Sequence, residues 1–220
     1  MKSIIVTGAG TGLGKELAIG FANQGYHIIL AGRSLSNLQK VEAAINEHGK
    51  SATSFEVDVR SQESVQSFMK NIQQSTLYGL INNAGVGHFG PFENLTTTQL
   101  EDMLQTNLYG TINMCQGALP LLKEENEGFI INIISTAGLK GKKHETGYSA
   151  SKFAQRGLTE SLQKEYEGSG ISIKAVYMGG MDTPFWESSD HVKDKSRLRS
   201  PKAVAEKIIE EFHDQTIIVK

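Results

Sequence analysis

The chain has 220 residues, 39% of them hydrophobic and 21% charged, an ordinary globular composition with enough length for one core. Its 22 Lys and Arg against 24 Asp and Glu leave a formal net charge of -2, which excludes the basic excess expected of a nucleic-acid or anionic-membrane binder. The single cysteine, Cys115, excludes an internal disulfide and sits in a helical apolar pattern as a small core residue.

The N-terminus opens on Lys2-Ser3-Ile4-Ile5-Val6-Thr7, with no basic region, apolar stretch and small-residue cleavage site, so no secretory leader is predicted. No apolar run approaches the ~20 residues of a membrane span, and a soluble cytoplasmic protein is expected. Ile4 to Thr7 reads as a strand, followed by a helix from about Gly12 to Asn23. A strand at Tyr26 to Ala31, a helix from about Leu35 to His48 and a strand at Ala52 to Val57 come next. A helix near Glu63 to Gln74 precedes a strand at Tyr78 to Asn82. One long helical region, about Thr98 to Glu125, leads to a strand at Phe129 to Ile134. The chain then reads as a helix from about Tyr148 to Glu167, a strand at Ile171 to Met178, a helix from Pro201 to Phe212 and a strand at Thr216 to Val219.

Strands such as Phe129 to Ile134 are apolar on both faces, as where helices cover both sides of a parallel sheet. The alternation predicts a single doubly wound α/β domain with a mostly parallel seven-stranded sheet flanked by helices. Residues 184–200 are polar, charged and unpatterned, and read as a substrate loop or lid.

Directly after the first strand comes Thr7-Gly8-Ala9-Gly10-Thr11-Gly12-Leu13-Gly14. Glycines permit unusual torsions and close backbone approach. The turn feeds a helix N-terminus, whose free N–H groups and dipole suit a pyrophosphate, a Rossmann-type arrangement. The second strand ends in Gly32-Arg33-Ser34, where a carboxylate would bind a ribose 2'-OH and repel a 2'-phosphate. Arg33 instead offers a charge-assisted contact to phosphate and Ser34 a hydroxyl, so NADP(H) is predicted over NAD(H).

Tyr148 and Lys152, four residues apart, share one helical face. A nearby ammonium favours phenolate, so Lys152 is expected to lower the Tyr148 pKa toward neutrality. Ser135 ends the preceding strand, at the sheet edge where ligands bind in such folds. Its hydroxyl is placed to bond a substrate oxygen.

With these residues in view, the chain resembles the short-chain dehydrogenase/reductase family from end to end. The matching motifs are Thr7-Gly8-x-x-x-Gly12-x-Gly14, Asp58-Val59, Asn82-Asn83-Ala84-Gly85, Asn107, Ser135 and Tyr148-x-x-x-Lys152. The resemblance implies that Tyr148 is the general acid in carbonyl reduction and the base in reverse. Lys152 would tune it and bond the nicotinamide ribose, Ser135 would polarise the carbonyl, and Asn107 would hold a water linking Lys152 to solvent. Asp58 and Val59 would contact adenine, Asn83, Ala84 and Gly85 would line the adenosine side, and Thr183 would contact the carboxamide. With Gly8, Thr11, Gly12, Leu13, Gly14, Arg33, Ser34 and Met181, they make up the expected NADP(H) surface; no metal ligands are assigned.

Two departures stand out. Met178-Gly179 replaces the Pro-Gly usual in the family, so the nicotinamide-side loop is where its geometry is expected to differ. The sequence stops at Lys220, directly after the last strand, so the C-terminal extension that often closes the pocket or packs on a partner subunit in the family is expected to be absent. A homo-oligomer, dimer or tetramer, is expected.

Substrate-pocket candidates by the resemblance are Gly87-His88-Phe89, Leu139 to His144, Met181, Phe185 and Trp186. His88 and His144 read as ordinary loop histidines, Lys140, Lys142 and Lys143 as a solvated basic cluster, and Trp186 either caps the pocket or anchors the loop. The leading expectation is an NADP(H)-dependent reductase of aldehydes or ketones acting on a small-molecule carbonyl. Two alternatives stay open: an NADP-linked alcohol dehydrogenase running in reverse, and a non-catalytic NADP(H)-binding sensor or interaction protein on the same fold.

Overall fold

A computed structural model describes residues 1–187, 189, 191, 192 and 194–219. Seven strands form one sheet: β1 (Ser3–Thr7), β2 (His27–Gly32), β3 (Ser51–Glu56), β4 (Leu77–Asn82), β5 (Gly128–Ile133), β6 (Ile171–Met178) and β7 (Thr216–Val219). Their order is β3-β2-β1-β4-β5-β6-β7 and every pairing is parallel. Helices α1 (Gly12–Asn23), α2 (Leu35–Glu47), α3 (Gln62–Asn71), α4 (Thr97–Leu104), α5 (Gly110–Glu125), α6 (Thr146–Glu165) and α7 (Pro201–Glu210) make the crossovers. The expected doubly wound Rossmann-type architecture is therefore present, with a sheet that is parallel throughout.

The period of a strand sends alternate side chains to opposite faces, and both faces here are buried. Ile4, Val6, Ile28 and Leu30 pack under Leu17 and Phe21 of α1, Leu38 and Val41 of α2, and Ile208 of α7. Ile5, Ile29, Leu80 and Ile130 face the other way, under Phe68 of α3 and Met114, Ala118 and Leu122 of α5. Cys115 joins this second layer, fully enclosed, and burial pushes its thiol up to about 12.

Two local features bear on the site. The long helical region expected over about 98–125 is present, as α4, a π-helical turn at Gln105–Tyr109 that the sequence did not reveal, and α5. The residues that the π turn buries are the polar Thr106 and Asn107, and π turns often mark functional positions. The start of α4 is set by a capping box, in which Thr96 and Gln99 satisfy each other's backbone N–H. Met178 continues β6 and pairs with Val219, so the residue that replaces the family proline is a ladder position.

The strand order reverses between β1 and β4, where the chain leaves the sheet to opposite sides and a crevice opens at the C-terminal edge. Thr7 stitches that edge. Its buried hydroxyl accepts from the N–H groups of Asn83 and Ala84, both at 3.0 Å, and donates to the Ile81 carbonyl at 3.3 Å. Replacing it with the isosteric Thr7→Val leaves two N–H groups unpaired. The expected loss is about 2 kcal/mol of unfolding free energy, measured by urea denaturation at unchanged m-value.

Candidate active site

The crevice between β1 and β4 is a cleft of about 940 Å³ that runs from Arg33 and Asp58 at one end to Tyr148, Phe185 and Trp186 at the other. Its floor is the glycine turn. Gly8 and Gly12 have φ of +63° and +54°, a conformation that L side chains rarely adopt. A Cβ on Gly14 would fall on the Gly8 carbonyl, so this glycine packs beneath the turn while Gly8, Thr11, Gly12 and Leu13 line the cleft. The first turn of α1 thus presents free N–H groups to the ligand space. Asn83 donates from Nδ2 to the carbonyls of Thr7 and Gly8, at 2.9 and 3.2 Å, and so ties β4 to the turn.

At the far end, Arg33 and Ser34 are exposed at the mouth, beside Asp58 and Val59. Arg60 also lies there, a residue the sequence reading missed. It grips Asp58 in bidentate fashion, Nε to Oδ1 at 2.9 Å and Nη2 to Oδ2 at 2.7 Å, and reaches Asp102 at 3.4 Å. The Arg60 hydrogen bonds hold the Asp58 carboxyl below its usual range, and Arg33 adds to the effect. The signal available was Asp-x-Arg at the end of β3.

At the reacting end, α6 carries Tyr148 and Lys152, both buried, with the Lys152 Nζ 5.8 Å from the phenol ring centroid. Ser135 follows β5. Its Oγ accepts from the Ala137 N–H at 3.1 Å, which leaves the hydroxyl proton to donate, and it bonds the Tyr148 side chain. Burial pushes the Tyr148 phenol far above its ordinary value, opposed by the Ser135 bond and assisted by the Glu145 charge. Burial also lowers Lys152, to about 7. The expected depression of Tyr148 by Lys152 is therefore not found: desolvation dominates both groups and favours both neutral forms.

Asn107 sits in the π turn, fully buried one layer behind the cleft. Its Oδ1 accepts from Val86 N at 2.9 Å, and its Nδ2 donates to Val86 O and to Ser151 Oγ, each at 2.9 Å. Gly85 lies between it and Lys152, near enough that a Cβ there would touch both. Met181 and Thr183 line the cleft, and a Cβ on Gly12 would meet Thr183, which places that residue over the turn.

Of the substrate-pocket candidates, Lys142, Met181, Phe185 and Trp186 line the cleft. His88 does not; it points to Asp102, with Nε2 2.9 Å from Oδ2. His144 has a φ of +63° and its carbonyl accepts from Gly90 N at 2.9 Å, a turn role away from the cleft. Glu145 and His191, not foreseen, do line it and bond to each other, Nε2 to Oε1 at 3.1 Å. The His191 and Trp186 rings both stack on Phe89, with centroids 4.9 and 5.0 Å away. These contacts join three distant loops, so no spacing in the sequence could reveal them. Residues 184–200 hold two short helical turns, Pro184–Trp186 and Lys195–Arg197; Ser188, Asp190 and Lys193 of the expected lid lie outside the described residues. Among the described residues no cluster of His, Cys, Asp or Glu is placed to hold a metal, and no helix is long and apolar enough to cross a membrane.

The profile of the short chain dehydrogenase family matches residues 2–194. Sepiapterin reductase of Chlorobaculum tepidum is 30% identical, with 96% of this chain and 91% of that protein aligned. The alcohol dehydrogenase of the archaeon Thermococcus sibiricus, solved with 5-hydroxy-NADP, superposes with a TM-score of 0.91 at 26% identity, covering 100% of this chain and 96% of that one. Actinorhodin polyketide ketoreductase with NADPH has the same TM-score and identity over 99% and 95% of the two chains. The chain belongs to the short-chain dehydrogenase/reductase family of oxidoreductases.

Proposed function

We propose that this protein is an NADP(H)-dependent oxidoreductase that reduces an aldehyde or ketone to an alcohol, with Tyr148 as the proton donor. The observation that carries the reading is a phenol kept protonated by burial, bonded to Ser135, at the end of a glycine-floored cleft with a guanidinium at its mouth. The cleft fits a dinucleotide phosphate: its glycine floor, seated on the Cβ-less Gly14, leaves backbone open to close approach, and Arg33 at the mouth suits a 2'-phosphate. The similar solved structures with NADP-type cofactors support the same choice. The cofactor, when bound, supplies or takes the hydride.

The chain's own residues do the rest. Ser135 donates to the substrate oxygen and fixes its position. Tyr148 delivers its proton to that oxygen as negative charge develops there, and the raised phenol pKa keeps the proton available at neutral pH. Lys152, near enough to sense the phenol, stabilises the phenolate that remains when it carries a proton. Phe185 and Trp186 exclude water from the reacting end. The same groups serve alcohol oxidation in reverse.

Tyr148→Phe should lower NADPH-dependent turnover by about 10²- to 10⁴-fold while calorimetry finds NADPH binding unchanged. Retained turnover in that variant removes the proposal. Arg33→Ala should weaken NADPH about 10- to 100-fold and leave NADH unaffected, since only the phosphate contact is lost. Equal effects on the two cofactors would count against the NADP(H) assignment. For Lys152, the folded value of about 7 lies below the ordinary 10.5, so between these limits the unfolded chain holds one more proton and stability rises with pH. Below about 7 the burial penalty is present in full. Lys152→Met should therefore raise the thermal midpoint relative to wild type most at about pH 6, with the gap closing toward about pH 10. A gap independent of pH would show that Lys152 is not the buried titrating group.

A further inference from the structure

Behind the cleft wall, α6 carries Gln155, three residues beyond Lys152 and with no solvent exposure. A buried amide is costly unless its bonds are made. Here both ends are used. Oε1 accepts from Lys152 Nζ at 2.8 Å, and Nε2 donates to Thr111 Oγ1 at 3.0 Å. Thr111 Oγ1 in turn donates to the main-chain carbonyl of Asn107 at 2.9 Å.

The direction of this chain follows from counting protons. A carbonyl only accepts, so the single Thr111 proton goes to Asn107. The Thr111 oxygen must then receive from the NH₂ of Gln155, which turns the amide carbonyl toward Lys152. A second buried row holds the Gln155 backbone. Asn82 donates to Asn132 at 2.9 Å, Asn132 to Thr159 at 2.9 Å, and Thr159 to the Gln155 carbonyl at 2.7 Å.

When it carries its proton, Lys152 has three N–H donors. The Ile133 carbonyl, at 3.1 Å, and Gln155 Oε1 take two of them, and tetrahedral geometry directs the last away from both. We propose that Gln155 is a positioning residue: with Thr111 it forms a side-chain bridge from Lys152 to the Asn107 carbonyl, holds the lysine as a donor, and turns its remaining N–H into the cleft. The role in turnover rests on the assignment of Tyr148 and Lys152 made above; the bridge itself does not.

The titratable surroundings are few. Tyr148 shares the helix with Lys152, and Glu145 at its start acts on Tyr148. On α4, Asp102 is paired with Arg60 and His88, and Glu101 is exposed. On β6, Lys174 is held by the His213 and Asp214 carbonyls, and Tyr177 faces Arg156 and Glu160. Facing Lys152 from β5, the loop after it and the π turn are the uncharged Ile133, Ser135 and Asn107. Among the described residues the partner of Lys152 is thus an amide dipole, with no carboxylate bonded to it.

The test uses the full-length protein labelled at lysine Cε and Nζ, with the Lys152 resonance assigned by its loss in Lys152→Met. Its titration midpoint is expected to fall in Gln155→Met and, by less, in Thr111→Val, and to rise by about one pH unit or more in Gln155→Glu, where the acceptor gains a charge. Circular dichroism confirms that each variant is folded. A midpoint unmoved in all three variants overturns the bridge. With NADPH and 4-nitrobenzaldehyde as probe, Gln155→Met should lower kcat about tenfold with KM for NADPH within about twofold, and Gln155→Glu should restore most of the loss at higher pH. An unchanged kcat in Gln155→Met, with the midpoint shifted, overturns the positioning role. If wild type turns over no carbonyl, the functional reading falls, and the titration alone decides the bridge.

Discussion

The binding crevice exists because two neighbouring strands part company at their C-terminal ends and are still held in register there. Strand order alone opens a gap between β1 and β4, but a gap between unsecured backbones would be neither shaped nor dry. The Thr7 hydroxyl and the Asn83 amide supply the stitches, each satisfying backbone groups of the opposite strand. Everything the cleft presents is referred to that seam. The glycine turn leaves from Thr7, the opposite wall of the cleft begins at Asn83, and Gly14 rests on Gly8.

The reacting end obeys a different constraint, the cost of taking charge out of water. Tyr148 and Lys152 share a buried face, and burial pushes their proton affinities apart, the phenol up and the amine down, so that both neutral forms are favoured. Such a pair keeps the proton on the phenol and leaves the amine to lose its own first. It also destabilises the fold, since two ionisable groups are held out of water on one face. Hydrogen bonds from Ser135 on one side and the Gln155 carbonyl on the other offset part of that cost.

Much of this was legible in the sequence, for reasons that differ by element. The strands and most helices are local matters of period and capping, and the glycine turn announces itself by position after β1. Tyr148 and Lys152 are one helical turn apart, so their meeting needed no tertiary knowledge. The π turn was hidden because it shifts the hydrogen-bond ladder within a segment that is helical throughout, which residue types do not display. Arg60, Glu145 and His191 were hidden because they reach the cleft from loops, where no period constrains direction. The pKa of Tyr148 was misjudged because sequence shows a nearby cation but not the depth of burial, and depth is the larger effect.

The aromatic roof has a practical side. Trp186 is the only tryptophan in the chain, it borders the cleft, and its indole lies against Phe89. Indole emission overlaps the absorption of a reduced nicotinamide, so the protein carries a single-site optical reporter at its own doorway. Quenching and energy transfer from that one indole would follow ligand arrival and departure in real time, with no dye attached and with excitation chosen to pass over the six tyrosines.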